Sequence, residues 1–388
     1  MKIFFWFPVV LCALQVGVGK VEITPPVGTP SAGYRARNGM GMEGCHDPLM
    51  AVALVLDDGV KRVAFCSVDH LGFTREMVEA VKAKVGGCEV YIGSTHTHSG
   101  GGAFLDVPLI GFSLAGTYDA AVKESYVEGA ARAILEASQT VPGKLGIGYG
   151  EAEDLSYYRS SWPEGVEPLR QVTVMKVTKE DGEPLAVLFN YPIHPTILDA
   201  DNRLFSADFV GYAREYLCEK LGVEAIYFNG AQGDIAPRIL NEADLFDACD
   251  QTGRSLAGTV VDIWGKTEVG EATIETKHCG YSFKPEATPF GMQVPIASYE
   301  SEMNVIVFNG EDAFVTIPGE LSCIYDRQLK KTPGYRGISI LGLTNDAHGY
   351  IITPDSWAHK TFESRLSFGG QWYGDQVEER AAALLKKS

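Results

Sequence analysis

Twice in this chain a helical pattern ends at glycine, passes into a short apolar run and then opens into a loop of polar and small residues. The first pass leads from Thr74 through Gly86-Gly87 to Glu89–Gly93 and Ser94–Gly102. The second leads from Phe209 through Gly222 to Ala225–Phe228 and Asn229–Asp234. In the first, Met77, Val78, Val81 and Val85 share one helix face, and the glycines accept the left-handed backbone that closes a helix. A helix followed at once by an apolar strand packs back on its own sheet, so strands alternating with helices commit the chain to α/β architecture. The two stretches are too unlike each other to be a repeat.

The other elements agree. Strands are predicted at Ala51–Leu56, Arg62–Val68, Leu145–Tyr149, Gln171–Val177 and Leu185–Tyr191, with a Pro- and Gly-rich loop over Ile23–Gly33. Ser206 is the expected N-cap of a helix carrying Phe209, Val210, Ala213, Leu217 and Leu221. Further helices are expected from Asp119 to Ser138, from Glu242 to Trp264, after Gly319, and from Asp375 to Lys387. Asn309-Gly310 between Asn304–Phe308 and Ala313–Ile317 signals a hairpin, which makes the sheet mixed. The expected fold is a single large α/β domain, a mixed β-sheet flanked by helices, with its site in loops at strand ends.

Composition narrows the function. Hydrophobic residues make up 45% of the 388 and charged ones 21%, enough for a sizeable core. A formal net charge of −17 excludes a broad grip on nucleic-acid phosphates or on anionic lipid. Met1-Lys2, the apolar run Ile3–Leu14 and the small residues Gly17-Val18-Gly19 read as a secretory signal peptide over residues 1–19, leaving a catalytic domain over 20–388. A buried strand or short helix is the plainer reading of that run. Leu11 before Cys12 fits lipoprotein processing poorly, so a secreted or periplasmic protein is expected, without stable membrane insertion. The remaining cysteines contain no C-x-x-C pair and name no disulfide.

Two motifs are set aside. Gly39-Met40-Gly41-Met42-Glu43-Gly44 matches G-x-G-x-x-G but follows no strand, and no G-x-S-x-G elbow is present. The informative stretch is Ser94-Thr95-His96-Thr97-His98-Ser99, running into three glycines. In extended backbone residues two apart face the same way, so His96 and His98 could share one metal ion, or simply hydrogen-bond each other at a strand end. His194, held between Ile193 and Pro195 at another strand exit, could join them. The loop Asn229–Asp234 offers backbone N–H groups of the oxyanion-hole kind, or is an ordinary Asx turn. Glu320 suits a His/His/Glu zinc set as well as a helix first turn; Tyr350 is the weakest of these candidates.

In their order along the chain these loops resemble the neutral (non-lysosomal) ceramidase family, zinc-dependent amidases that cleave N-acylsphingosines. The resemblance runs from Ile23-Thr24-Pro25-Pro26 through the T-H-T-H-S-G loop, His194-Pro195-Thr196, Ser206-Ala207-Asp208 and Pro318-Gly319-Glu320 to Trp372-Tyr373-Gly374. It implies a Zn2+ ion held by His96, His194, Glu320 and Tyr350, with His98, Arg159 and Asp234 as the catalytic set. It implies a small-molecule or lipid-like N-acyl substrate. Two departures stand out: Ala236 replaces the family's serine in Gly233-Asp234-Ile235-Ala236-Pro237, and Phe362 replaces a tyrosine. The β-sandwich that follows in full ceramidases is not expected here. The expectation is an exported zinc hydrolase acting on an amide, the alternatives being a zinc hydrolase of another bond or a ligand-binding pseudoenzyme.

Overall fold

The computed structural model describes residues 13–107, 110–291, 293 and 296–387. The larger sheet has eight strands: β1 (Gln15–Glu22), β2 (Met50–Asp57), β3 (Arg62–Val68), β4 (Glu89–Ser94), β5 (Val141–Glu151), β6 (Gln171–Lys179), β7 (Pro184–Tyr191) and β8 (Glu224–Asn229). Their order is β8-β7-β6-β5-β1-β2-β3-β4, parallel only in the outermost pairs β7/β8 and β3/β4. The mixed α/β architecture expected from sequence is therefore present.

This sheet curls until its edges approach each other. The Ser67 hydroxyl donates to the Tyr227 carbonyl at 2.6 Å, and Asn229 Nδ2 donates to the Thr95 carbonyl at 3.1 Å. Gly93 is glycine because a Cβ there would stand 2.4 Å from the Phe228 ring. A second sheet, β9 (Ile274–Phe283), β10 (Tyr299–Phe308), β11 (Asp312–Thr316) and β12 (Gly337–Leu341), covers the inside of the curl. Phe65, Phe228, Phe308 and Phe314 form part of the core between the sheets. The predicted hairpin is β10/β11, with Asn309 and Gly310 both at positive φ, as a type I′ turn requires.

Helices α1 (Arg75–Val85) and α2 (Ala120–Ala137) cover one outer part of the large sheet, and α3 (Phe209–Leu221) and α4 (Leu245–Lys266) cover another. Short side chains cap them: Thr74, Asp119, Asp208 and Asp244 each accept a backbone N–H from the first turn. The cap of α3 is therefore Asp208 and not Ser206, whose hydroxyl accepts from Asp208 N and shapes the preceding turn. A bidentate ion pair between Asp69 at the end of β3 and Arg214 of α3 ties the helix to the sheet; Nη1 lies 3.1 Å from Oδ1.

The segment from Gln15 onward is built into the large sheet. Residues 1–12 of the predicted leader lie outside the described residues, but β1 pairs with β2 along its whole length, from Gln15↔Asp57 to Glu22↔Met50. Leu14 and Val16 are fully buried. Gly17 and Gly19 are small because α2 lies on them: a Cβ would come 2.1 Å from the Ala137 carbonyl oxygen or 2.2 Å from that of Ala133. Close helix–sheet packing leaves the same small-residue signature as a cleavage site. A cut after Gly19 would remove Gln15–Gly19 from an interior strand.

Candidate metal centre and substrate cavity

Five loops converge where the curled sheet meets the second sheet. β4 delivers His96 and His98, β7 delivers His194, and β8 delivers the Gly233-Asp234 turn; all lie beyond carboxyl ends of parallel strands, where open α/β sheets place their ligands. The second sheet supplies Glu320 just after β11 and Tyr350 after β12, aligned by a parallel ladder in which Glu320 pairs with Tyr350. The helix predicted after Gly319 begins only at Cys323, capped by Ser322, so Glu320 is a ladder residue and not a first-turn carboxylate.

His96 and His194 point Nε2 at the same Glu320 oxygen, at 3.3 and 2.9 Å. Each Nδ1 faces a backbone carbonyl: Leu71 O at 2.6 Å from His96 and Ile235 O at 2.9 Å from His194. Those carbonyls accept a hydrogen bond from Nδ1–H and leave each Nε2 with its lone pair directed at a carboxylate, an arrangement that could hold a cation between them. The ligand atoms of His96, His194 and Glu320 all lie within 4.8 Å of one another, and all three residues are buried. Two imidazoles and a carboxylate fit a divalent metal ion.

The electrostatics agree. Burial, reinforced by Arg159, pushes His194 down to about 4, so its ring is neutral and free to ligate. Burial alone would raise the Glu320 carboxyl, but positive charge at the facing His96 and His194 holds it well below the usual carboxylate range, and a bound cation would supply that charge where the rings are neutral. Burial, with Glu320 nearby, pushes the Tyr350 hydroxyl up. Its ring centroid lies 6.4 Å from that of His194, and its oxygen accepts from Arg159 Nη2 at 3.0 Å.

His98 stands beside the centre, its Nε2 3.3 Å from His96 Nε2. The expectation rested on extended backbone, but β4 ends at Ser94 and His96 adopts a left-handed conformation with φ 69°. The two rings meet through a turn, with centroids 4.9 Å apart. Burial and the adjacent His96 hold His98 well below the ordinary imidazole value. Tyr34 packs edge-on against it at 4.7 Å, and Gly33 leaves room for the ring, since a Cβ there would approach its Cγ to 2.5 Å. Arg37, buried in the same strap, donates to the His98 carbonyl and, at 2.8 Å, to that of Asp199. Nothing in the sequence singled out Gly33, Tyr34 or Arg37, because their role is set by a long-range fit.

Asp234 is not brought to the centre. Its carboxylate accepts from the Ser322 hydroxyl and, at 2.9 Å, from Cys323 N, pinning the glycine turn to the start of the following helix. Its contribution to the site is its carbonyl, which accepts from Arg159 N at 2.9 Å. Ala236 pairs with Tyr157 in a short two-stranded ladder, and Phe362 is 55% exposed at the cavity wall.

A cavity of about 330 Å³ opens over His96, His98, Arg159, Glu320 and Tyr350. Leu71, Phe104, Leu105, Leu114, Leu343 and Phe368 line the rest of it, giving mostly apolar walls with polar groups gathered at the centre. Among the described residues no helix is long and apolar enough to cross a membrane.

Comparison with known proteins follows the same lines. The family model described as neutral/alkaline non-lysosomal ceramidase, N-terminal, matches residues 14–285. The neutral ceramidase of Drosophila melanogaster is 28% identical over 313 residues, covering 67% of this chain and 43% of its own length. That of Pseudomonas aeruginosa is 26% identical over 253 residues, covering 58% of this chain and 37% of its own. The chain thus spans less than half the length of these relatives. The solved structure of the Pseudomonas aeruginosa neutral ceramidase superposes with a TM-score of 0.84 at 19% identity, over 96% of this chain and 74% of that one, a likeness of fold. With the family model matched over most of its length and the fold shared nearly throughout, the chain belongs to the neutral/alkaline non-lysosomal ceramidase family, as its N-terminal part.

Proposed function

We propose that this chain is a zinc-dependent hydrolase that opens the amide bond of an N-acyl substrate, an N-acylsphingosine or a related N-acyl compound. The observation that carries the reading is the pair of imidazole lone pairs turned onto one buried carboxylate at the centre of an apolar cavity. His96, His194 and Glu320 would hold the ion, with Tyr350 beside them. Bound there, zinc would supply a Lewis acid that polarises the carbonyl and lowers the pKa of a water to about 7.

The chain's own groups divide the remaining work. His98, kept neutral by burial, is placed to take a proton from the attacking water and return it to the departing amine. Arg159 lines the cavity and offers N–H donors where negative charge develops on the acyl oxygen. The apolar walls take the acyl chain and exclude water around it. With Ala236 and Phe362 at the two substituted positions, no hydroxyl assists at either, so the proton work falls to His98.

Metal analysis of protein purified without chelators should find one zinc per chain, and His96→Ala should lose both the metal and the hydrolysis of N-acyl substrates. Zinc-free native protein, or a His96→Ala variant unchanged in both respects, would sink the reading. A panel of ceramides, N-acyl amino acids and simple esters identifies the bond. Tight binding without turnover by zinc-loaded protein would instead favour a ligand-binding pseudoenzyme, the reading that the two missing hydroxyls suggest. Export to a secreted or periplasmic location belongs to the same proposal.

A further inference from the structure

Arg159 is held in place by a residue outside the loops that carry the metal-binding side chains. Its Nη2 donates to Tyr350 Oη at 3.0 Å and to the Gly233 carbonyl at 2.9 Å, and lies 3.3 Å from His194 Nε2. Its Nε donates to Glu363 Oε1 at 3.3 Å, while the Ser160 hydroxyl donates to Glu363 Oε2 at 2.9 Å. Glu363 is only 1% exposed, although it opens a single 3₁₀ turn, Glu363–Leu366. A carboxylate so removed from water persists only when paired, and its ionic partner here is Arg159. The neighbouring Phe362 ring and the Tyr350 ring lie 5.6 and 5.7 Å from the guanidinium carbon, so the group is bounded by rings as well as clamped.

We propose that Glu363 is a positioning residue that fixes the reach of Arg159 and balances its charge, so that the site selects substrates with an uncharged amino-alcohol portion over those carrying a carboxylate. The inference rests on the N-acyl hydrolase reading. An unpaired arginine on an apolar wall is a strong carboxylate receptor, because its fork matches a carboxylate in shape and charge. An arginine already paired with a buried glutamate keeps its N–H donors but has little net charge left for an anion. Ser160 and the turn at Glu363 hold the carboxylate still, and that in turn keeps Nη2 on Tyr350 and the Gly233 carbonyl.

The test compares wild type with Glu363→Gln and Glu363→Asp, using N-dodecanoylethanolamine and N-dodecanoylglycine as substrates and free dodecanoate as a binding probe. Glu363→Gln should keep its zinc, raise the kcat/KM ratio of the glycine over the ethanolamine substrate roughly tenfold, mainly through KM, and bind dodecanoate roughly tenfold more tightly. Glu363→Asp, which keeps the charge, should restore the wild-type preference. In a crystal structure of Glu363→Gln, Arg159 Nη2 should leave Tyr350 Oη. An unchanged substrate ratio, or unchanged dodecanoate affinity with Arg159 still in place, overturns the proposal. If wild type hydrolyses neither these substrates nor a ceramide, the N-acyl hydrolase reading falls, and dodecanoate affinity with the crystal structure still decides the role of Glu363.

Discussion

Replacing Arg214 by methionine tests how the sheet edge beneath the metal loop is held. Asp69 is fully buried, and Arg214 is 8% exposed; besides the guanidinium, the Asp69 carboxylate accepts only Met50 N, at 2.8 Å, among the described contacts. Methionine fills much of the arginine stem's volume, so the main loss is electrostatic: a buried carboxylate left with one backbone donor. Breaking a buried pair in this way costs about 3–5 kcal/mol. For 388 residues, with an unfolding entropy of roughly 0.8 kcal/mol/K, that lowers the melting temperature by about 4–6 °C. The double variant Asp69→Asn with Arg214→Met keeps an acceptor for Met50 N without the stranded charge, and should regain about 1–2 kcal/mol over Arg214→Met alone. Denaturant titrations of wild type, both single variants and the double complete the cycle. Single-variant losses that add to within about 0.5 kcal/mol would refute the reasoning, because they would show that the two charges do not depend on each other.

A chain begun at Lys20 should fail to fold cooperatively, whereas one begun at Ala13 should match the full chain in circular dichroism and melting, since the shorter form loses most of an interior strand. N-terminal sequencing of exported protein should accordingly give a start at or before Leu14. His70 is fully buried among Phe73, Phe104 and Tyr126, and burial lowers it to about 3. The unfolded chain therefore binds the extra proton between about pH 6.5 and pH 3, so the contribution is whole above that window and falls by about 1.4 kcal/mol for each pH unit below 6.5. His70→Leu should flatten the loss of stability between pH 7 and pH 5; an unchanged slope would show that other groups set it. Gly33→Ala forces a Cβ onto the His98 ring at a position with φ 103°. The variant should keep its metal and lose at least roughly tenfold in kcat, measured beside metal content on the same sample.

Much of the fold was legible because local chemistry announced it. Thr74, Gly86 and Gly222 bound their helices as expected, and Asn309-Gly310 makes the predicted turn. His96, His194 and Glu320 could be picked out because each follows a strand and each is of a ligating type. What escaped was set by contacts distant in sequence. Gly17 and Gly19, read in the sequence as small residues before a cut, also lie close under α2, a helix more than a hundred residues further on. Asp234 carries a catalytic residue's chemistry, but Ser322 and Cys323 take up its carboxylate. Glu363 gives no local signal at all; only the folded chain brings it to Arg159.

The meeting of the two sheet edges also bears on when the proposed metal could be acquired. The candidate ligands are drawn from positions 96, 194, 320 and 350, carried by strands of two sheets. No contiguous segment holds even two imidazoles and the carboxylate, so a chain emerging in order has no complete site until Tyr350 has appeared and the curl has closed. Loading would then follow folding, and an ion bound there would act as a late clasp across the seam that adds its binding energy to the closed form alone. The compartment in which the chain finishes folding, and not the one in which it is made, would decide which metal it carries.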